Sequence, residues 1–281
     1  MNTMLKNILT KSIGAYINLL SYLSPKKATQ LAYRFFSEPR EGKLLEHNLP
    51  SLLKNAEREV MILDNQQFPI YTWQGNATKI LLVHGWESNA ARWEPLFPYL
   101  QKTGSTIIAL DAPAHGLAEG KEFSVPNYAA FIHEVVKKSK PQVMIGHSIG
   151  GSACLYFQNR YSTLSIKKMV LLGAPADLGI LLSNYAKLLG LNSKIIPLLD
   201  AYFLERFKTN SAAFVGEKLA KTLQVRGIIS HDVADEVVLY EESQKIAKGW
   251  KDSIFIETNG FGHSMHDPAL YQKIENFIVQ S

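Results

Sequence analysis

Apolar residues recur along this chain with two distinct periods, and the period divides it into helices and strands. Leu5, Ile8, Leu9, Ile13, Tyr16, Ile17, Leu20 and Leu23 fall at helical spacing, with Lys6, Lys11 and Asn18 between them. That pattern predicts an amphipathic helix ended by Pro25. A second helical stretch covers residues 28–37 and gives way at Pro39 to a polar connection through Pro50. Residues 58–64 and 68–73 predict two strands joined at Asn65-Gln66-Gln67 as a hairpin. The solid apolar run 79–83 predicts a buried parallel strand, and the runs 106–110, 142–145, 168–172, 225–230 and 253–257 continue the series. Helical patterning falls between them at 90–100, 128–138, 152–161 and 240–248, and again at 269–279.

Strands alternating with helices after an N-terminal hairpin specify an α/β fold, a mostly parallel central sheet with helices on both faces. One interval breaks the rhythm. Between Leu172 and Val225 no strand pattern occurs, and the stretch is too long for a single crossover. Residues 176–222 therefore read as an inserted helical cap. That leaves residues 1–57 as an N-terminal helical extension, and 58–175 with 223–281 as the α/β core. The cap's apolar stripes, among them Leu178, Leu182, Tyr185, Leu198 and Tyr202, fit an acyl-binding pocket or the cap's own core.

Composition narrows the class. With 281 residues, 46% hydrophobic and 20% charged, the chain suits one large α/β domain with an insertion. No run reaches the roughly 18 to 20 apolar residues of a spanning helix. The single cysteine, Cys154, excludes an internal disulfide and fits a cytoplasmic setting. No Cys/His metal spacing occurs, and no cofactor or metal is expected. The net charge of +5 matters through its placement. Residues 1–37 hold Lys6, Lys11, Lys26, Lys27 and Arg34 with no Asp or Glu, so the rest of the chain is neutral. Nucleic-acid proteins spread basic residues over a binding face, and that class is set aside. The N-terminal helix fits docking on the domain or peripheral contact with an anionic membrane through residues 1–37. A signal peptide fits poorly, because polar residues break the apolar stretch and no small-residue cleavage site follows.

Candidate chemistry centres on Gly146-His147-Ser148-Ile149-Gly150-Gly151, between the strand 142–145 and the helix 152–161. A serine on so sharp a strand-to-helix turn sits in a strained backbone conformation, and its neighbours must lack bulk for strand and helix to approach. The turn would lift the Ser148 hydroxyl above the strand end, with the following N–H groups aimed at the same space. A glycine-rich connection without chemistry is the plain alternative. A serine hydroxyl is a poor nucleophile unless a base stands beside it.

The order His84-Gly85-Trp86, Asp111-Ala112-Pro113-Ala114-His115-Gly116, Gly146-His147-Ser148-Ile149-Gly150-Gly151, His231-Asp232-Val233-Ala234-Asp235 and Gly262-His263 resembles the α/β-hydrolase superfamily, in its serine-hydrolase branch. The resemblance covers roughly residues 58–281. It implies Ser148 as nucleophile, with the acid and then the base following in the chain. Within the resemblance His84, His115 and His147 are structural, His47 and His133 lie in polar or helical contexts, and His231 ends a strand. The family's base follows a glycine in the loop after the last strand, which selects His263 and leaves His266 as the alternative. The family's acid follows the strand 225–230, which implies Asp235; Asp232 is an alternative because it occupies a slot usually held by a smaller residue, and Asp177 is another because some members draw their acid from the strand that here ends at Leu172. The oxyanion hole would be the backbone N–H groups of Ile149 and Trp86.

The resulting expectation is a cofactor-independent serine hydrolase, cleaving a small-molecule carboxylic ester with an apolar acyl group through a covalent acyl-enzyme. The serine argues against halide displacement, which needs a carboxylate nucleophile in this family. Other acyl transfers, carbon–carbon cleavage and a binding protein that lost the chemistry remain alternatives.

Overall fold

The structure, a computed structural model, describes residues 3–280. Two helices open it, α1 (Thr3–Leu23) and α2 (Pro25–Ser37), and a single turn, α3 (Ser51–Lys54), follows. The break between the first two is local. Ser24 is extended at φ −153° and Pro25, at the first helical position, needs no hydrogen-bonded N–H there. Strands β1 (Glu57–Leu63), β2 (Gln66–Trp73) and β3 (Asn76–Val83) come next, then α4 (Phe97–Lys102) and β4 (Ser105–Leu110). Helix α5 (Val125–Ser139), strand β5 (Val143–His147), helix α6 (Ile149–Tyr161) and strand β6 (Lys168–Leu172) form the middle of the chain. Helices α7 (Leu178–Leu189), α8 (Ile195–Phe207) and α9 (Gly216–Ala220) precede β7 (Arg226–Asp232). Helix α10 (Tyr240–Gly249), strand β8 (Ser253–Thr258) and helix α11 (Pro268–Val279) complete it.

The chain divides into two compact units: residues 39–176 with 216–281, and residues 1–38 with 177–215. The larger unit holds one eight-stranded sheet in the order β1-β2-β4-β3-β5-β6-β7-β8. Only β2 runs against its neighbours, pairing antiparallel with β1 and β4, and every other pairing is parallel. The fold is therefore the mostly parallel α/β sheet that the alternation predicts. Alternate residues of the central strands, such as Ile80, Leu82, Val143, Ile145, Val170 and Leu172, share a core with α4 and α11. Helix α6 packs on β3, β5 and β6 and is flanked by α5 and α9. All of β4 and β5 is buried, as expected of strands covered on both faces.

Several element boundaries differ from the sequence expectation for identifiable reasons. The hairpin turns at Asp64-Asn65, not at Asn65-Gln66-Gln67; these two residues have φ of 48° and 63°, and Leu63 pairs directly with Gln66. Two consecutive left-handed residues make the tight turn that suits a twisted two-strand ribbon, and Asp and Asn tolerate that region. The single helix expected over 90–100 is a 3-10 turn, Ala90–Trp93, followed by the separate α4. Pro95 between them has no N–H to continue a ladder. Helix α6 begins at Ile149, and β7 runs through Asp232.

The smaller unit joins helices that the hydrophobic pattern assigns separately to an N-terminal extension and an inserted cap. Helix α1 packs on α7, and α2 packs on α8. Lys11 Nζ donates to the terminal carbonyls of α7, Lys187 O (3.2 Å) and Leu188 O (2.8 Å). Asn18 donates to Gly190 O (2.8 Å) and accepts from the Asn192 N–H (2.8 Å). Between α2 and the other two helices lie Tyr33 against Tyr202 and Phe203, and Phe36 against Tyr185, with the Tyr185 hydroxyl donating to Ala32 O (2.7 Å). Helix α9, placed by the sequence in the cap, packs instead on α6 and α10 of the larger unit. No described helix is long and apolar enough to cross a membrane.

The tightest approach in the smaller unit is at Gly14, where an added Cβ would stand 1.9 Å from Leu189 O. Alanine is the better helix former by about 1 kcal/mol, but overpacking against a fixed carbonyl costs about 1–3 kcal/mol. Gly14→Ala is therefore expected to lower the urea midpoint of unfolding, and a raised midpoint would contradict this packing.

Candidate active site

Ser148 is the single residue between β5 and α6, and its backbone is at φ 53°, ψ −132°. A non-glycine residue held there costs about 1–3 kcal/mol, so its surroundings must enforce it. The Ser148 N–H donates to Leu172 O (2.8 Å), which ties the turn to β6, and the Gly151 N–H donates to Ser148 O (2.8 Å). Two glycines allow the approach. A Cβ on Gly146 would stand 2.7 Å from Gly151 Cα, and one on Gly150 would stand 2.3 Å from His84 O. No side chain fits in either gap. Helix α6 then starts immediately after Ser148, and the Ile149 N–H is among the first four of that helix, which lack intrahelical acceptors.

His263 sits in a short 3-10 turn, Gly262–Ser264, after β8. Its Nε2 lies 2.9 Å from Ser148 Oγ and its Nδ1 lies 2.7 Å from Asp235 Oδ2. Since a carboxylate only accepts, Nδ1 carries the proton and Nε2 is left to accept from the serine hydroxyl. Two donors hold this loop. His147 Nε2–H donates to His263 O (2.7 Å), and Arg92 donates to Ser264 O (3.1 Å). The structure thus brings Ser148, His263 and Asp235 into one hydrogen-bonded line.

The alternatives named from sequence have other partners. His266 Nδ1 lies 2.6 Å from the Tyr271 hydroxyl. Asp177 belongs to the smaller unit, where it precedes α7 and bridges to Val215. Asp232 is the last residue of β7 and accepts from Ala234 N (3.0 Å), Thr258 Oγ1 (2.8 Å), Gly260 N (3.2 Å) and Phe261 N (3.0 Å). Burial pushes its carboxyl up, yet these donors outweigh burial and leave it below the ordinary value. Its contacts shape the loop leading to His263 and do not reach the imidazole.

Asp235 has a side chain with no exposure, and its Oδ1 accepts from the N–H groups of Val237 (2.8 Å) and Val238 (3.0 Å). Oδ2 faces His231 Nε2 at 3.2 Å as well as His263. Burial pushes the carboxyl up, but the hydrogen bonds from His231, His263 and Val238 prevail and hold it well below the usual carboxylate range. His231 is in turn fixed by Val238 O (2.8 Å) and Ser243 Oγ (2.6 Å). The sequence pattern places His231 only at a strand end. Its signal was the His-x-x-x-Asp spacing to Asp235. Arg92 carried no sequence signal at all.

The loop after β3 completes the surroundings. His84 Nδ1–H donates to Gly85 O (2.7 Å), while Nε2 accepts from the Ala112 N–H (2.9 Å). His115 Nε2 accepts from the Glu87 N–H (3.0 Å), which pins Glu87 at φ 49°. These two imidazoles fix the backbone on either side of Trp86, whose indole packs against His115 and Phe123. Gly85 lies directly against Ser148, since a Cβ there would stand 2.9 Å from Ser148 Cβ. Asp111 holds the base of the loop by accepting from Ala90 N (3.0 Å), Leu117 N (2.9 Å) and the Tyr71 hydroxyl (3.0 Å). Among the described residues no group of three or more His, Cys, Asp or Glu could hold a metal ion.

A family model described as alpha/beta hydrolase fold matches residues 79–251, more than half of the chain. The chain belongs to the alpha/beta hydrolase family. This chain is similar to a "Bifunctional esterase/perhydrolase DCH" of Acinetobacter calcoaceticus, 30% identical over 105 residues, covering 35% of this chain and 37% of that one. It is also similar to a "Probable serine hydrolase" of Drosophila melanogaster, 25% identical over 107 residues, covering 35% and 32%. The matched segments thus span about a third of the length of each relative. Among solved structures, a bromoperoxidase from Bacillus anthracis superposes with a TM-score of 0.62 at 16% identity, covering 80% of this chain and all of that one. At that identity the likeness speaks for the fold alone.

Burial drives His84 down to about 3 and His115 to about 4, and burial with Arg92 nearby holds His147 well below its ordinary value. A histidine depressed in the folded state stabilises it above the unfolded value, and that stability is lost as pH falls toward the folded value. By about pH 4, His84 and His115 each forfeit on the order of 3 kcal/mol. Asp111, which burial raises to about 6, acts in the opposite direction and recovers on the order of 2 kcal/mol over the same range. The histidines win. Urea midpoints are expected to fall steadily from about pH 7 to about pH 4, and a flat profile would contradict neutral buried imidazoles.

Proposed function

We propose that this hydrolase cleaves carboxylic esters through a covalent acyl-enzyme on Ser148. The observation that carries the reading is the unbroken line Ser148 Oγ, His263 Nε2–Nδ1, Asp235 Oδ2, with separations of 2.9 and 2.7 Å. The esterase named among its relatives points the same way.

In the proposed first half-reaction His263 Nε2 takes the Ser148 proton as Oγ attacks the ester carbonyl carbon. Asp235, kept ionised by its donors, stabilises the imidazolium and preserves its tautomer. The negative charge that develops on the carbonyl oxygen is met by the N–H groups of Ile149 and Trp86. Ile149 opens a helix whose dipole also favours an anion. His263 then returns the proton to the departing alkoxide, and the alcohol leaves. In the second half-reaction His263 deprotonates a water that attacks the acyl-enzyme, the tetrahedral adduct collapses, and Ser148 regains its proton as the carboxylic acid departs.

The test is an ester panel of graded acyl length, with p-nitrophenol release as the readout. Ser148→Ala is expected to reduce turnover to near background, and retained turnover would refute the nucleophile. Asp235→Asn is expected to lower kcat by about 10⁴-fold, since the amide favours the wrong imidazole tautomer. Asp232→Asn is expected to shift the unfolding midpoint far more than kcat, because it disturbs buried donors and not the base. The opposite ranking of those two variants would assign the acid to Asp232.

A further inference from the structure

The smaller unit has two properties that no step of the proposed chemistry uses. The first is an unpartnered apolar face on α1. Leu5, Ile8, Leu9, Tyr16, Leu19 and Leu23 are each more than half exposed, and their spacing of three and four residues puts them on one side of the helix. The other side is the one that docks, through Gly14, Asn18 and Ser21, on α7 and the residues just after it. Helix α1 is thus apolar on a side its own unit does not need. Such a stripe is a partner surface far more often than an accident of composition.

The second property is charge. Residues 1–38 and 177–215 together carry nine Lys and Arg against four Asp and Glu, while the larger unit carries equal numbers of each sign. The whole net charge of +5 therefore resides on the unit that bears the stripe. Lys26 and Lys27 are exposed in the first turn of α2, immediately beyond Leu23. Lys194 lies over the ring of Tyr22, 3.8 Å from its centroid, beside the same end of α1. The acid-free run 1–37 opposes nothing to these cations.

We propose that the exposed face of α1, with the cations at its C-terminal end, is a docking surface for an anionic phospholipid bilayer. A helix lying in the interface buries apolar side chains at the acyl boundary, and lysines beside it meet lipid phosphate and carboxylate groups. A second copy of the chain would satisfy the apolar stripe too, but the excess positive charge on both copies would oppose that pairing.

The test uses the full chain and sedimentation with vesicles of phosphatidylcholine alone or mixed with phosphatidylserine. Binding is expected to the mixed vesicles, to be weakened by salt, and to be at least tenfold weaker on phosphatidylcholine alone. The double variant Leu9→Asp, Leu19→Asp is expected to lose at least tenfold in partitioning, and Lys26→Glu with Lys27→Glu to lose the preference for anionic lipid. Turnover of a soluble ester and the helical circular dichroism should match the wild type in both variants, which separates this outcome from misfolding and from failure of the esterase reading. Equal sedimentation of wild type and the Leu9, Leu19 variant would overturn the proposal. So would a concentration-dependent dimer in size-exclusion chromatography that the same variant dissolves.

Discussion

The backbone at Ser148 cannot relax. It is held at φ 53° by a strand in front, a helix behind and a hydrogen bond from its own N–H to β6, and the two flanking glycines permit the close approach that this path requires. Everything else at the site is positioned relative to that turn. The loop after β3 presses Gly85 against the serine, and the residue just before the turn, His147, holds the carbonyl of His263. The strain is therefore shared among the centre of the sheet, the loop after β3 and the loop after β8, which is why it persists in the folded state.

Two aspartates at one strand end divide the labour. Asp232 organises the backbone of the loop between Thr258 and Phe261, and Asp235 faces the imidazole which that loop delivers. Either carboxylate alone would leave the arrangement incomplete, since a well-oriented imidazole needs both a fixed loop and a fixed acceptor. His231 extends the same logic by one step, because it braces the acceptor from below.

Much of this was legible in the sequence where a local rule decides the outcome. Buried parallel strands show as unbroken apolar runs, and the glycines around Ser148 announce a close approach before any coordinate is seen. The order of motifs likewise places Ser148, Asp235 and His263. The misses have a common cause, which is that they depend on partners distant in the chain. The pairing of α1 with α7 rests on the Gly14–Leu189 approach and on carbonyls at a helix end, neither of which leaves a periodic trace. Arg92 was invisible because its partner is a backbone oxygen at Ser264, and any residue could have supplied one. The hairpin turn falls one residue earlier and one residue shorter than polar composition suggests, because composition marks a loop but not its left-handed pair, Asp64 and Asn65.

The division of labour within the smaller unit also sets an order of events during synthesis. Helix α1 is made early, yet the carbonyl that its Lys11 caps lies 177 residues further along. Until α7 has emerged from the ribosome, the side of α1 that carries Lys11, Gly14 and Asn18 lacks its mate in the folded unit, and only α2 is at hand to pack on the helix. At the usual elongation rate of about 5–20 residues per second, that interval lasts on the order of ten seconds or more. A nascent chain of this design therefore holds α1 without its α7 contacts until α7 itself has been translated.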